Sequence, residues 1–310
     1  MAVGASGRAG LSGGTGGRAK RAAGPSRRGA APVQRGLHSA LAARVVAPFQ
    51  VGREALSAFT RDNEVMDEAL FANILSMEMD VPTDQADQVK NTYLIVMGAL
   101  YEIDSWVDTY STKAADTVLG HVKEARAALM RAGGRPPLAD RPATRRLAKM
   151  THFLVDVSVP FHTAKVLTFE DVGRYTMIPD EQARNEYVRG LIENLVIFIA
   201  AHDAWEQVGE EQADAVIAAL PESEGDIDLS GVDDAEFALY VKNWVDSHVD
   251  LVKGKYADAA ALMQEWQENQ GDERMMKELE GRAVALQAQC LAPAVDISTK
   301  LLSVFYPRVG

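Results

Sequence analysis

The sequence predicts an all-α fold: a single multi-helix domain preceded by a disordered basic N-terminal segment. Three observations predict it. Beyond Val45, apolar residues recur at spacings of three and four along most of the chain, the period of helices with one buried face. Alternating β-branched runs and Asn-Gly or Asp-Gly hairpin turns are missing. The first 53 residues contain nine Lys or Arg and no Asp or Glu, set among Gly, Ala and Ser. Such a stretch buries too little apolar surface to offset its chain entropy.

In chain order, residues 1–44 read as the disordered segment and 45–310 as the helical domain. The acid-free, Arg-rich start lacks an apolar core of the secretory kind and fits a transit segment, so a mitochondrial or plastid destination is expected. Helical periodicity is plain at Val89–Trp106, Glu186–Trp205, Phe237–Met263 and Glu278–Phe305. Gly133–Pro142, with three prolines, reads as a loop, as does acidic Pro221–Asp234. Neither loop is long enough to separate the chain into independent domains. No run approaches the roughly 20 apolar residues of a membrane span. The single cysteine, Cys290, excludes an intrachain disulfide and a four-cysteine zinc site. A net charge of −12, concentrated beyond Arg53 as 23 basic against 44 acidic residues, argues against a broad basic face for nucleic acid.

The candidate chemistry lies in the six histidines and their acidic neighbours. In THFLVD, His152 precedes Asp156 by four residues, and in HDAWE, His202 precedes Glu206 by four. On a helix this spacing puts both side chains on one face, near enough to hold one cation. Imidazole nitrogen with carboxylate oxygen suits zinc, although the same spacing also serves as a plain surface ion pair. Pro160, lacking an N–H, should end the first of these helices and turn the chain so that His162 joins His152 and Asp156 at one cavity. By contrast, His248 between Asp246 and Asp250 reads as a helix-surface residue. Trp205, Cys290 and Leu301–Tyr306 read as core.

The pattern His152-x3-Asp156-x3-Pro160-x-His162 resembles the signature of the zinc-dependent phosphodiesterase superfamily. That group includes the fungal and plant type I single-strand nucleases and the bacterial zinc phospholipases C. Further pieces resemble it in the same order. Ser105–Asp108 (SWVD) is similar to a Trp-Ala-Asp helix, and His121 follows where a ligand histidine is placed. AHDAWE is similar to a Leu-His-x-x-Trp-Asp segment, with Glu206 for the usual Asp. Trp244–Tyr256 and Leu291–Phe305 are similar to two later helices, so the resemblance spans about Tyr101 to Pro307.

The resemblance implies a mostly helical fold holding a zinc cluster between helices. It implies a first Zn2+ site of Asp108, His121, His152 and Asp156, and a second of His162, His202 and Glu206. Asp156 would bridge to a third ion and position the water, a metal-held hydroxide attacking phosphorus. The substrate would be single-stranded nucleic acid or a phospholipid head group. Clustered dications would invert the local potential of an acidic protein.

Two departures accompany it. The family's third ion is held by an N-terminal Trp and a nearby His, but the first Trp here is Trp106, leaving His38 as the candidate. Gly173–Met177 (GRYTM) stands where the family has a Gly-Gly-Asn turn. A two-zinc hydrolase, a non-catalytic structural subunit of this fold, and a helical interaction protein with chance histidines are therefore distinct expectations.

Overall fold

The computed structural model describes residues 35–49, 103–131, 141–222 and 232–306. Helices account for nearly all of these, and no β-strand occurs among the described residues. In chain order they are α1 (Arg35–Val46), α2 (Ala114–Arg131), α3 (Arg141–Val157), the one-turn α4 (Pro160–Thr163), α5 (Phe169–Met177), α6 (Glu181–Glu211), α7 (Ala213–Ala219), α8 (Asp234–Glu268) and α9 (Glu273–Ser303). A helical turn at 103–107 runs directly into a π-helical turn, Asp108–Thr112, which precedes α2.

Local sequence sets the ends. The carboxylates of Asp180, Asp233 and Asp272 accept from the first backbone N–H groups of α6, α8 and α9. Thr168 and Asp171 form a reciprocal capping box on α5. Pro160 stops α3 and starts α4, where its missing N–H costs nothing. The expected break is therefore present.

Two apolar clusters build the core. The first joins α1, α2, α3 and α7 to the N-terminal half of α8 and the C-terminal half of α9, through residues such as Leu41, Val118, Leu154, Val241 and Leu301. The second joins α4 and α6 to the other halves of α8 and α9, through Phe161, Phe198, Trp205, Met263 and Leu279. Val157 belongs to the first cluster and Val159 to the second, so the α3–α4 break lies on the seam between them. Trp205, Cys290, Leu301, Leu302, Phe305 and Tyr306 are buried, as their sequence context indicates.

Two boundaries differ from expectation. Helix α1 begins at Arg35, ten residues inside the segment expected to be disordered, and Leu41, Ala42, Val45 and Val46 are buried in the first cluster. The acid-free composition hid a short stripe of helical period. The loop expected over Gly133–Pro142 gives way to α3 at Arg141, Pro142 being tolerated in a first turn. Residues 1–34, which carry the rest of the disorder and transit expectations, lie outside the described residues, as do 89–102 of the first predicted helix. No described helix is long and apolar enough to cross a membrane.

Candidate metal centre

Helix α6 supplies two of three converging side chains. His202 and Glu206 are one turn apart, with His202 Nε2 3.6 Å from Glu206 Oε1. The third comes from α4. Because Pro160 restarts the helix at once, His162 follows the end of α3 by only five residues and reaches His202 of α6. Its Nε2 lies 3.2 Å from His202 Nε2. The candidate ligand atoms of His162, His202 and Glu206 all fall within 4.8 Å of one another.

The hydrogen bonds specify which nitrogens face inward. His162 Nδ1 is 3.1 Å from the main-chain carbonyl oxygen of Asp156. A carbonyl only accepts, so Nδ1 carries the proton and the Nε2 lone pair of neutral His162 points at His202. His202 Nδ1 lies 3.4 Å from Asp203 Oδ1, which orients that ring in the same sense. Two imidazole lone pairs then confront each other. Burial pushes the His162 imidazole down to about 4, helped by the charge of His202 and opposed by Asp156 and Glu206. For His202, burial acts downward, but Glu206 and Asp203 outweigh it and hold the imidazole above its ordinary value. Of the two rings, His202 is therefore the one that holds a proton more readily.

This donor set fits a divalent ion. Zinc with nitrogen ligands at about 2.05 Å in tetrahedral geometry separates two of them by about 3.3 Å, close to the observed 3.2 Å. Two imidazoles and one carboxylate could hold a metal ion. Outward nitrogens held by a carbonyl and a carboxylate are the usual supporting shell of metal-bound histidines.

Around the trio stands an aromatic wall. Trp106 meets His162 edge-on at 4.8 Å and His202 at 5.7 Å. Tyr110 stacks on His162 at 5.1 Å, and Phe161 meets His202 edge-on at 5.9 Å. Behind Glu206, a cavity of about 40 Å³ is lined mainly by apolar side chains, including Val155, Val159 and Leu291.

The expected first site is only half assembled. His152 Nε2 and Asp156 Oδ2 are 3.3 Å apart, and the Tyr110 hydroxyl donates to the same oxygen at 3.3 Å. Asp156 thus stands between the groups, its side chain on His152 and its carbonyl on His162. The other two residues are not gathered with them. The Asp108 carboxylate pairs with Lys113 beside it. His121 sits among Arg146, Glu124 and Lys149, its imidazole lowered first by burial and then by Arg146. Among the described residues, His162, His202 and Glu206 form the one group of three or more ligand-type side chains close enough for a single ion. Of the expected set Asp108, His121, His152 and Asp156, the structure brings His152 and Asp156 together and does not gather Asp108 and His121 with them. His38 lies on α1, with its side chain outside the described residues.

His248 requires a second correction. It is 1% exposed, not a surface residue, and its Nε2 lies 3.1 Å from Ser158 Oγ. Ser158 in turn donates to the Leu154 carbonyl, tying α8 to the α3–α4 break. Burial drives the His248 imidazole down to about 4. Tyr110 and Asp203 touch the group without having been among its expected residues. Asp203 was visible beside His202, whereas nothing in the sequence placed Tyr110.

Comparison of the chain with protein-family models, with curated proteins and with solved structures gives no match.

Proposed function

We propose that this chain is a zinc-dependent phosphodiester hydrolase acting on single-stranded nucleic acid. The observation that carries the reading is the convergence of His162, His202 and Glu206 around one point beside Asp156. These are the residues that the ordered resemblance to zinc phosphodiesterases singles out for one ion. Zinc held there would supply a Lewis acid for a phosphoryl oxygen. The chain's own residues do the rest. His162 Nε2, His202 Nε2 and Glu206 Oε1 bind, and the Asp156 carbonyl and Asp203 hold the imidazoles in register. The Asp156 carboxylate, one oxygen of which already meets His152 and Tyr110, would orient the attacking water and accept its proton.

Metal analysis of purified protein, with parallel assays on single-stranded DNA, single-stranded RNA and phosphatidylcholine, tests this. Chelator-sensitive cleavage of either polynucleotide, lost in His162→Ala, is the expected result. Turnover of phosphatidylcholine alone would transfer the activity to the phospholipase side of the resemblance. Folded protein that takes up no zinc would overturn the reading. One observation favours a second reading, a structural subunit that keeps the ion for stability: Asp108 and His121 are engaged elsewhere. Zinc uptake that raises the melting temperature, with no phosphoester turnover, would select it.

A further inference from the structure

We propose that Tyr110 is a positioning residue for the metal centre, one side chain that sets both the carboxylate of Asp156 and the ring plane of His162. The inference rests on the metal reading of His162, His202 and Glu206, and adds to it a residue outside every predicted ligand set. Three observations meet at Tyr110. Its hydroxyl donates to Asp156 Oδ2 at 3.3 Å. Its ring lies nearly parallel to His162, with centroids 5.1 Å apart and planes inclined by 23°. It also packs on Phe153 of α3 at 5.3 Å, so the ring is steadied from the helix that carries Asp156.

The backbone explains how Tyr110 gets there. Asp108–Thr112 is a π-helical turn closed by the Lys113 N–H on the Asp108 carbonyl at 2.8 Å. The widened turn packs against α2, α3 and α4 together. Such turns are uncommon and recur at functional sites, where an extra residue per turn re-aims side chains. The same turn leaves Asp108 facing Lys113 and brings Tyr110 to the metal side.

The physical consequence is specific. The hydroxyl holds one Asp156 oxygen, and the Asp156 carbonyl holds His162 Nδ1. The stacked ring restricts rotation of the imidazole about its own axis. Losing a supporting partner of this kind lowers metal affinity by about 10- to 100-fold.

The test compares wild type, Tyr110→Phe, Tyr110→Leu and His162→Ala by zinc competition against a chromophoric chelator and by the visible spectrum of the Co2+-loaded protein. Circular dichroism confirms that each variant is folded. Tyr110→Phe keeps the ring and should weaken zinc about tenfold while retaining the Co2+ band positions. Tyr110→Leu removes both contacts and should weaken zinc about 100-fold, with the Co2+ bands shifted. A folded Tyr110→Phe or Tyr110→Leu variant that binds within twofold of wild type, while His162→Ala has lost binding, overturns the role of Tyr110 and leaves the metal site standing. If Tyr110→Leu does not fold, the Tyr110→Phe result decides alone. Wild type that binds neither zinc nor cobalt overturns both.

Discussion

Two histidine groups of this molecule carry similar sequence credentials and meet different fates. His162, His202 and Glu206 converge on one point, whereas Asp108 and His121 are drawn to Lys113 and to the Arg146–Lys149 face. The difference lies in how many independent structural variables each group depends on. Helix geometry alone fixes Glu206 relative to His202. His162 adds one variable, the Pro160 break, and the proline restrains it. Asp108 and His121 sit on separate elements, so joining them to His152 requires both rotations to be right at once. A π-helical turn changes one of those rotations.

The sharpest way to break the comparison is to remove one ligand from each group. His202→Ala should lower zinc affinity about 1,000-fold, one ligand's share of a binding free energy of roughly 10–16 kcal/mol. His121→Ala should leave it within about twofold. Equal losses in the two variants, measured by chelator competition, would restore the four-ligand site and defeat the contrast.

His248 sharpens it from the side of stability, as an imidazole buried with no carboxylate beside it. Its folded value of about 4 lies below the ordinary 6.5, so folding favours the neutral ring. The stabilisation is complete above pH 6.5 and is lost as pH falls from 6.5 towards 4. The loss approaches about 3 kcal/mol. Urea unfolding across that range should show the decline, and His248→Gln, which keeps a donor for Ser158, should flatten it. An unchanged slope in that variant would place the acid sensitivity elsewhere.

Two smaller effects concern the trio itself. His202 is held above its ordinary value, so a proton competes with zinc from higher pH than at a free imidazole. Below that value zinc affinity should fall about tenfold per pH unit. Calorimetry in buffers of differing ionisation enthalpy should show proton release on ion binding that grows as the pH is lowered towards the imidazole range. No proton release would contradict the raised value of His202. Asp203→Asn leaves a weaker acceptor at His202 Nδ1 and should cost about tenfold in zinc affinity. Affinity unchanged in that variant would remove Asp203 from the supporting shell.

Much of the fold was legible because helical period and end signals are local properties. The stripe Phe237, Val241, Val245, Val249 and Val252 reads directly as the buried face of α8. Of the gathered trio, the His202–Glu206 couple was legible for the same reason, whereas the local pattern set His162 beside His152 and Asp156, and its pairing with His202 was implied only by the ordered resemblance. His248 was misread because its flanking acids are two positions away, and on a helix such neighbours point to the other side. Helix α1 was missed because composition outweighed a short periodic stripe. Tyr110 was out of reach, since its place depends on a turn that no residue pattern announces.

Helices α8 and α9 each contribute to both apolar clusters, with α8 changing cluster between Val249 and Val252. The two clusters are thus spliced by continuous rods running past the seam where the imidazoles meet. Hinge-like gaping at that line would bend two long helices and open both interiors at once. The spacing of the His162, His202 and Glu206 side chains is thereby tied to the packing of both interiors at once.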